Sequence, residues 1–134
     1  MSEDGRPQLQ AILAELRRVP DILGAAIARR DGLLIAHALA KSMSPKKIAA
    51  MSAAIVGTSE MVAAEMGLGL FFQTIVDSQM GKILATGAGE EALLITIVRT
   101  DANMGFVLLS VDKAMRAIAE VIDGMPAARE EVDA

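Results

Sequence analysis

The chain has 134 residues, 53% of them hydrophobic, with a net charge of −4, three phenylalanines as its only aromatics and no cysteine. That length suits one domain with a single core, and so apolar a composition excludes a disordered chain. The lack of cysteine excludes disulfides and thiolate metal sites, and an acidic chain with so few aromatics is not expected to bind nucleic acid.

Residues 1–6 read as a polar tail without the basic-then-apolar order of a signal peptide. No uncharged apolar run nears the roughly 18 residues of a membrane span. A cytoplasmic protein with no membrane insertion is therefore expected. Pro7 opens a helical stripe of Leu9, Ile12, Leu13 and Leu16, with Gln8, Glu15, Arg17 and Arg18 opposite. Val19-Pro20-Asp21 ends it, because the residue before proline is pushed out of the helical region. Apolar runs at 23–28 and 33–39 flank Arg29-Arg30-Asp31-Gly32, where Asp-Gly supplies a hairpin turn. Ser44-Pro45 is a helix start, a capping hydroxyl followed by proline at the first position. The helix it opens is predicted over 45–66 and closed by Gly67.

Residues 70–98 read as a three-strand meander, with strands at 70–76, 82–86 and 92–98 between glycine-bearing turns. The run 106–111 fits a buried strand when taken alone. Read from Asn103, however, Met104, Val107, Leu108, Val111, Met115, Ile118 and Ile122 form a helical stripe between an N-cap and the terminators Gly124 and Pro126. A helix over 104–122 is expected, at the cost of leaving Phe106 and Leu109 off the stripe. Residues 123–134 form an acidic tail, and 7–122 a single domain. The fold class is α+β. A five-stranded antiparallel sheet in the order α-β-β-α-β-β-β-α carries the middle helix on one face and the terminal helices on the other.

Within 45–66, at about 100° per residue, Ile48, Met51, Ile55, Val62 and Met66 share a face suited to covering a sheet. Ala50, Ala53, Ala54, Gly57, Met61 and Ala64 share the opposite face, small residues spaced for close contact with another helix. No internal partner is evident for that face, so it is expected to meet a second copy of the chain. The strand at 70–76 is expected at the sheet's outer edge. An edge so apolar invites aggregation unless it pairs with its own copy. Phe72 and Thr74 therefore join the expected dimer interface.

The chemical inventory points away from catalysis. His37 is the only histidine, and without cysteine it reads as structural rather than as a metal ligand. Gly67-Leu68-Gly69, Gly81-Lys82 and Gly87-Ala88-Gly89 all lack the pattern of a phosphate loop. Arg29, Arg30 and Arg99 could stabilise phosphoryl charge in a partner, but read first as solvated turn charges, as do Glu90 and Glu91. Ser52, Thr58 and Ser59 have no base close in sequence. No catalytic residue, metal or cofactor is expected.

Val19-Pro20-Asp21-Ile22-Leu23-Gly24-Ala25-Ala26-Ile27, the hairpin Asp31-Gly32-Leu33-Leu34-Ile35-Ala36, the small-residue helix after Ser44, and Asp101-Ala102-Asn103-Met104-Gly105 come in a telling order. Together they resemble the roadblock family of dynein light-chain-like proteins over residues 7–122. The resemblance implies roadblock-like, profilin-like layering and a homodimer or heterodimer. In such dimers the middle helices pack antiparallel and the third strands pair into one continuous sheet. It also implies a small Ras-like GTPase as partner, as for several prokaryotic members, in a regulatory or scaffold role. Lys46, Lys47, Glu60 and Glu65 put charge at the helix ends around an apolar middle, as a polar rim surrounds an interface core. They are the expected partner-binding residues. The competing reading is a small-molecule sensor or a purely structural dimerisation module.

Overall fold

A computed structural model of the chain describes residues 5–124. Its elements are α1 (Arg6–Leu16), β1 (Ile22–Arg29), β2 (Leu34–Ala38), α2 (Pro45–Glu65), β3 (Gln73–Ser78), β4 (Gly81–Ala88), β5 (Ala92–Val98) and α3 (Met104–Asp123). The element order is the expected one. All strand pairs are antiparallel, in one sheet ordered β2-β1-β5-β4-β3. Of the expected tails, residues 1–4 and 125–134 lie outside the described residues. Gly5 and Arg6 already belong to the start of α1, with Gly5 in the left-handed region as its N-cap.

β5 is central and buried along its whole length. Its alternation divides the core. Leu94 and Val98 point to the side of α1 and α3, and Leu93 and Ile95 to the side of α2. α1 buries Leu9, Leu13 and Leu16 on the first side, and α3 buries Val107, Val111, Ala114, Ile118 and Ile122. The ambiguous run 106–111 is thus helical. Its start is fixed twice: the Asn103 side chain accepts from the Phe106 amide at 3.2 Å, and Asp21 accepts from the Asn103 amide at 2.8 Å. A long apolar stripe and a doubly anchored cap outweigh the strand preference of six residues.

Thr96 sits on β5 between Leu94 and Val98, fully buried, and its hydroxyl has no hydrogen-bond partner among the described residues. An unmet buried hydroxyl is destabilising, and valine has nearly the same shape. Thr96→Val is expected to raise stability by about 1 kcal/mol, which thermal unfolding reads as a Tm higher by a few degrees. A lower Tm would mean that the hydroxyl is bonded.

The face of α2 that meets the sheet is not the bulky one. Ala49, Ser52 and Val56 are buried on it, with Ile48 and Ala53 partly buried beside them. Of the residues expected there, only Ile48 takes part. Met51 is 58% exposed and Val62 54%, and Ile55 and Met66 are exposed as well. The reason lies beneath the helix. Leu93 and Ile95 already fill this layer beside Ala26, Ala28 and Ala85, so the helix settles close through small residues. By length and composition α2 could cross a bilayer, but here the sheet covers its inner stripe. β3 starts only at Gln73, so Leu70, Phe71 and Phe72 lie in the connection that precedes it.

Candidate functional site

α2 is fixed firmly at both ends. The Ser44 hydroxyl accepts from the Lys47 amide at 3.4 Å, and Pro45 follows the cap. At the far end Gly67 has a positive φ, the Leu68 amide bonds the Ala63 carbonyl at 2.8 Å, and the Gly67 amide bonds the Ala64 carbonyl at 3.1 Å. This is the paired-bond termination that only glycine adopts readily. It turns the chain sharply toward β3.

The two flanks of α2 meet different surroundings. One faces the β1–β2 turn. Gly32 there has φ +95, and a Cβ on it would stand 3.3 Å from the Ala50 Cα and 3.6 Å from the Ala53 Cβ. Farther along, Arg30 donates from Nη1 to Glu60 at 2.6 Å and from Nη2 to the Gly89 carbonyl at 3.2 Å. The small-residue face therefore does have an internal partner over its first half. Among its members Gly57 looks onto open space, with nothing within 4 Å of a Cβ placed there. Ala54, Met61 and Ala64 are exposed. Glu60, expected as a free rim charge, is instead the partner of Arg30, and Arg30 is more than a solvated turn charge.

The other flank overhangs β3. Ala54, Ile55, Thr58, Ser59, Val62 and Ala63 line one wall of a groove of about 650 Å³, so Ala54 of the small-residue face belongs here, and Leu68, Phe71, Gln73 and Thr74 line the rest. The Thr74 hydroxyl donates to the Ser59 hydroxyl at 2.8 Å, which ties helix to strand. Thr74 is thus half-buried within its own chain, while Phe72 beside it is 79% exposed. Exposed large apolar side chains gather here: Met51, Ile55, Val62 and Met66 from α2, then Leu68, Leu70 and Val76, while Ile75 alternates to the other face of the sheet opposite Leu84. So contiguous an apolar patch marks an interaction surface.

The two free edges of the sheet are treated differently. Across β2, α1 donates from Arg6 to the Ile35 carbonyl at 2.7 Å, from Gln10 to His37 at 3.4 Å and from Arg17 to Ala38 at 3.1 Å. Ile35 and His37 share one side of the strand, so Arg6 and Gln10 occupy carbonyls that another strand would need, whereas the neighbouring Ala38 carbonyl points the other way, toward Gly24 of β1. β3 is the opposite edge, and it carries the exposed apolar residues Ile75 and Val76. Nothing of this kind covers it among the described residues.

The remaining candidates fall elsewhere. Lys46 and Lys47 are exposed in the first turn of α2, and Glu65 in its last. Arg29 is paired with Asp31. The Leu33 amide, with Arg29 beside it, holds the Asp31 carboxyl below its ordinary range. His37 is exposed on β2. Ser52 is buried against the sheet, and the hydroxyls of Thr58 and Ser59 donate to helix carbonyls four residues back. Phe106 and Leu109 are exposed, and with Ile12, Leu16 and Val19 they line a groove of about 540 Å³ between α1 and α3. This groove lies across the sheet from α2. Its only advance signal was the misfit of Phe106 and Leu109 with the helical stripe.

The chain belongs to the Roadblock/LC7 domain family, whose model matches residues 8–98. The match stops at the end of β5, so α3 lies beyond it. A curated relative, the uncharacterized protein MJ1340 of Methanocaldococcus jannaschii, is 32% identical over 110 residues, which is 82% of this chain and 96% of that one. Among solved structures, MglB of Myxococcus xanthus superposes with a TM-score of 0.83 at 17% identity, over 90% of this chain and 91% of that one. A structure described as MglB with tetrameric arrangement gives a TM-score of 0.77 at 22% identity, over 86% of this chain and 88% of that one. These structural likenesses establish the fold.

Proposed function

We propose that this roadblock domain is a dimeric, non-enzymatic regulatory or scaffold module that pairs through β3 and the overhanging flank of α2. The paired helices then offer their outward surface to a small, cytoplasmic Ras-like GTPase. One observation carries the pairing: Arg6 and Gln10 of α1 occupy carbonyls of the β2 edge, while the β3 edge is open beside an exposed apolar patch. An unguarded apolar edge is either an aggregation hazard or an interface. A second copy of β3 satisfies it, and the second α2 fills the groove above. The tetrameric arrangement of a fold relative is in keeping with self-association.

This pairing exchanges the roles first expected for the two faces of α2. Met51, Ile55, Thr58 and Val62 become the seam beside Phe72 and Thr74. The opposite flank, with Gly57, Met61 and Ala64, turns outward as the partner surface, and Lys46 lies on its border. The support for a GTPase is the family resemblance. Calorimetric titration against a candidate Ras-like GTPase, loaded with each nucleotide in turn, tests it. Binding is expected in one nucleotide state, and Lys46→Glu is expected to slow association and flatten its salt dependence with the dimer intact. Absence of binding in both states removes that partner. Faster hydrolysis on binding makes the protein an activator, and binding alone makes it a scaffold.

The groove between α1 and α3 favours a second reading, an apolar small-molecule sensor. A thermal-shift screen with apolar metabolites separates the two, because a ligand of that groove raises Tm without any GTPase.

A further inference from the structure

Lys47 and Glu65 stand about five turns apart on α2, so they project in nearly the same direction from opposite ends of the helix. Both are exposed, and neither forms an ion pair among the described residues, as is also the case for Lys41, Lys46, Lys113 and Glu120. Each also sits at the wrong end of its own helix. The first turn of α2 carries no acid and the last turn carries no base. A lysine there faces the positive end of the helix dipole, and a glutamate faces the negative end. For an antiparallel neighbour both placements become favourable.

We propose that Lys47 and Glu65 form two reciprocal ion pairs with a second copy of the chain, and that these pairs set the orientation of the dimer and its selectivity for itself. The proposal rests on the dimer reading above. A two-fold axis opposite the middle of α2, near Val56 and Gly57, brings Lys47 to Glu65 of the partner subunit, and Glu65 to Lys47 of the partner subunit. The same axis sets Met51 toward Val62 of the partner subunit and Ile55 toward Thr58 of the partner subunit, so the apolar seam closes between the charged ends. Each charge then also lies at the end of the neighbouring helix that its sign prefers. A parallel pair would instead set lysine on lysine and glutamate on glutamate. A relative with the reversed charge order would meet like charges at both ends of the seam, and one with neutral residues there would leave both charges unpaired.

Sedimentation of Lys47→Glu, Glu65→Lys, the double reversal and an equimolar mixture of the two single variants tests this, with the wild type as reference. Each single variant turns two attractions into two repulsions. Its dimer Kd is expected to rise roughly tenfold or more at low salt, and to improve rather than worsen as salt is added. The double reversal and the mixed heterodimer each regain opposite charges at both ends, and should return to within about threefold of the wild type. Each single reversal also corrects a charge against its own helix dipole, so circular dichroism should show helix content retained or raised while the dimer weakens. A merely structural role would move both in the same direction. A wild-type dimer indifferent to the single reversals, or not restored by the double one, overturns the charge pairing and leaves the dimer reading standing. A wild-type monomer at tens of micromolar protein overturns both.

Discussion

Proline at Ile75 is expected to abolish the dimer and leave the domain folded, and proline at Thr74 is expected to damage the domain itself. Neighbouring amides on a strand point to opposite sides. The hairpin between β3 and β4 has a two-residue turn, Gln79-Met80, closed by the pair Ser78 and Gly81. Counting back from that pair in alternation, Val76 and Thr74 aim their amides at β4, and Ile75 aims its amide at the free edge. Proline at Ile75 deletes a donor that only a second chain could use, and its ring obstructs the approach of that chain. With two copies affected, the loss is about 3 kcal/mol or more, roughly a hundredfold in dimer Kd. Proline at Thr74 removes a bond inside the sheet and displaces the hydroxyl that binds Ser59, so its Tm should fall. Light scattering and thermal unfolding on both variants check this. A dimer unchanged by Ile75→Pro would exclude a shared sheet, whatever the helices do.

The sequence made the fold legible because its local signals agree with one another. Asp31-Gly32 does form the first hairpin turn, with glycine at positive φ. Ser44, Pro45 and Gly67 do bound the long helix, and Asn103 does start the last one. Periodicity also identified the buried stripes of α1 and α3, which are the most apolar faces of their helices. It failed on α2 for a physical reason. α2 carries apolar residues nearly all round, so its pattern holds two stripes and does not say which of them the sheet takes. Bulk suggested Met51, Ile55 and Val62, but the sheet is already filled by Leu93 and Ile95 and accepts Ala49, Ser52 and Val56. Nor could periodicity show that Gly32 would rest on Ala50 and Ala53, or that Arg30 would reach Glu60, because those contacts join residues far apart in the chain. The guarding of β2 by Arg6 and Gln10 was hidden in the same way: on the sequence they are only the polar side of a helix.

The two flanks of α2 are told apart most sharply by opposite outcomes from two neighbouring substitutions. Ile55 lies on the wall of the groove above β3 and is 37% exposed in the single chain. Aspartate there stays solvated in a monomer but would be enclosed in the seam of a dimer. A carboxylate shut into an apolar contact without a partner costs several kcal/mol, and the two-fold axis imposes that cost twice. Ile55→Asp is expected to raise the dimer Kd by at least about a hundredfold with little change in the secondary structure of the monomer. Gly57→Leu acts on the other flank. Its side chain enters open space and replaces the poorest ordinary helix former, so stability should rise by roughly 0.5–1 kcal/mol with the dimer retained. The same leucine projects from the outward face proposed above for the GTPase, where it would overpack a close contact. Binding of the GTPase should therefore weaken by about tenfold or more, the cost of overpacking a tight contact. Should Gly57→Leu break the dimer and Ile55→Asp preserve it, the roles of the two faces return to the assignment that residue size alone suggests.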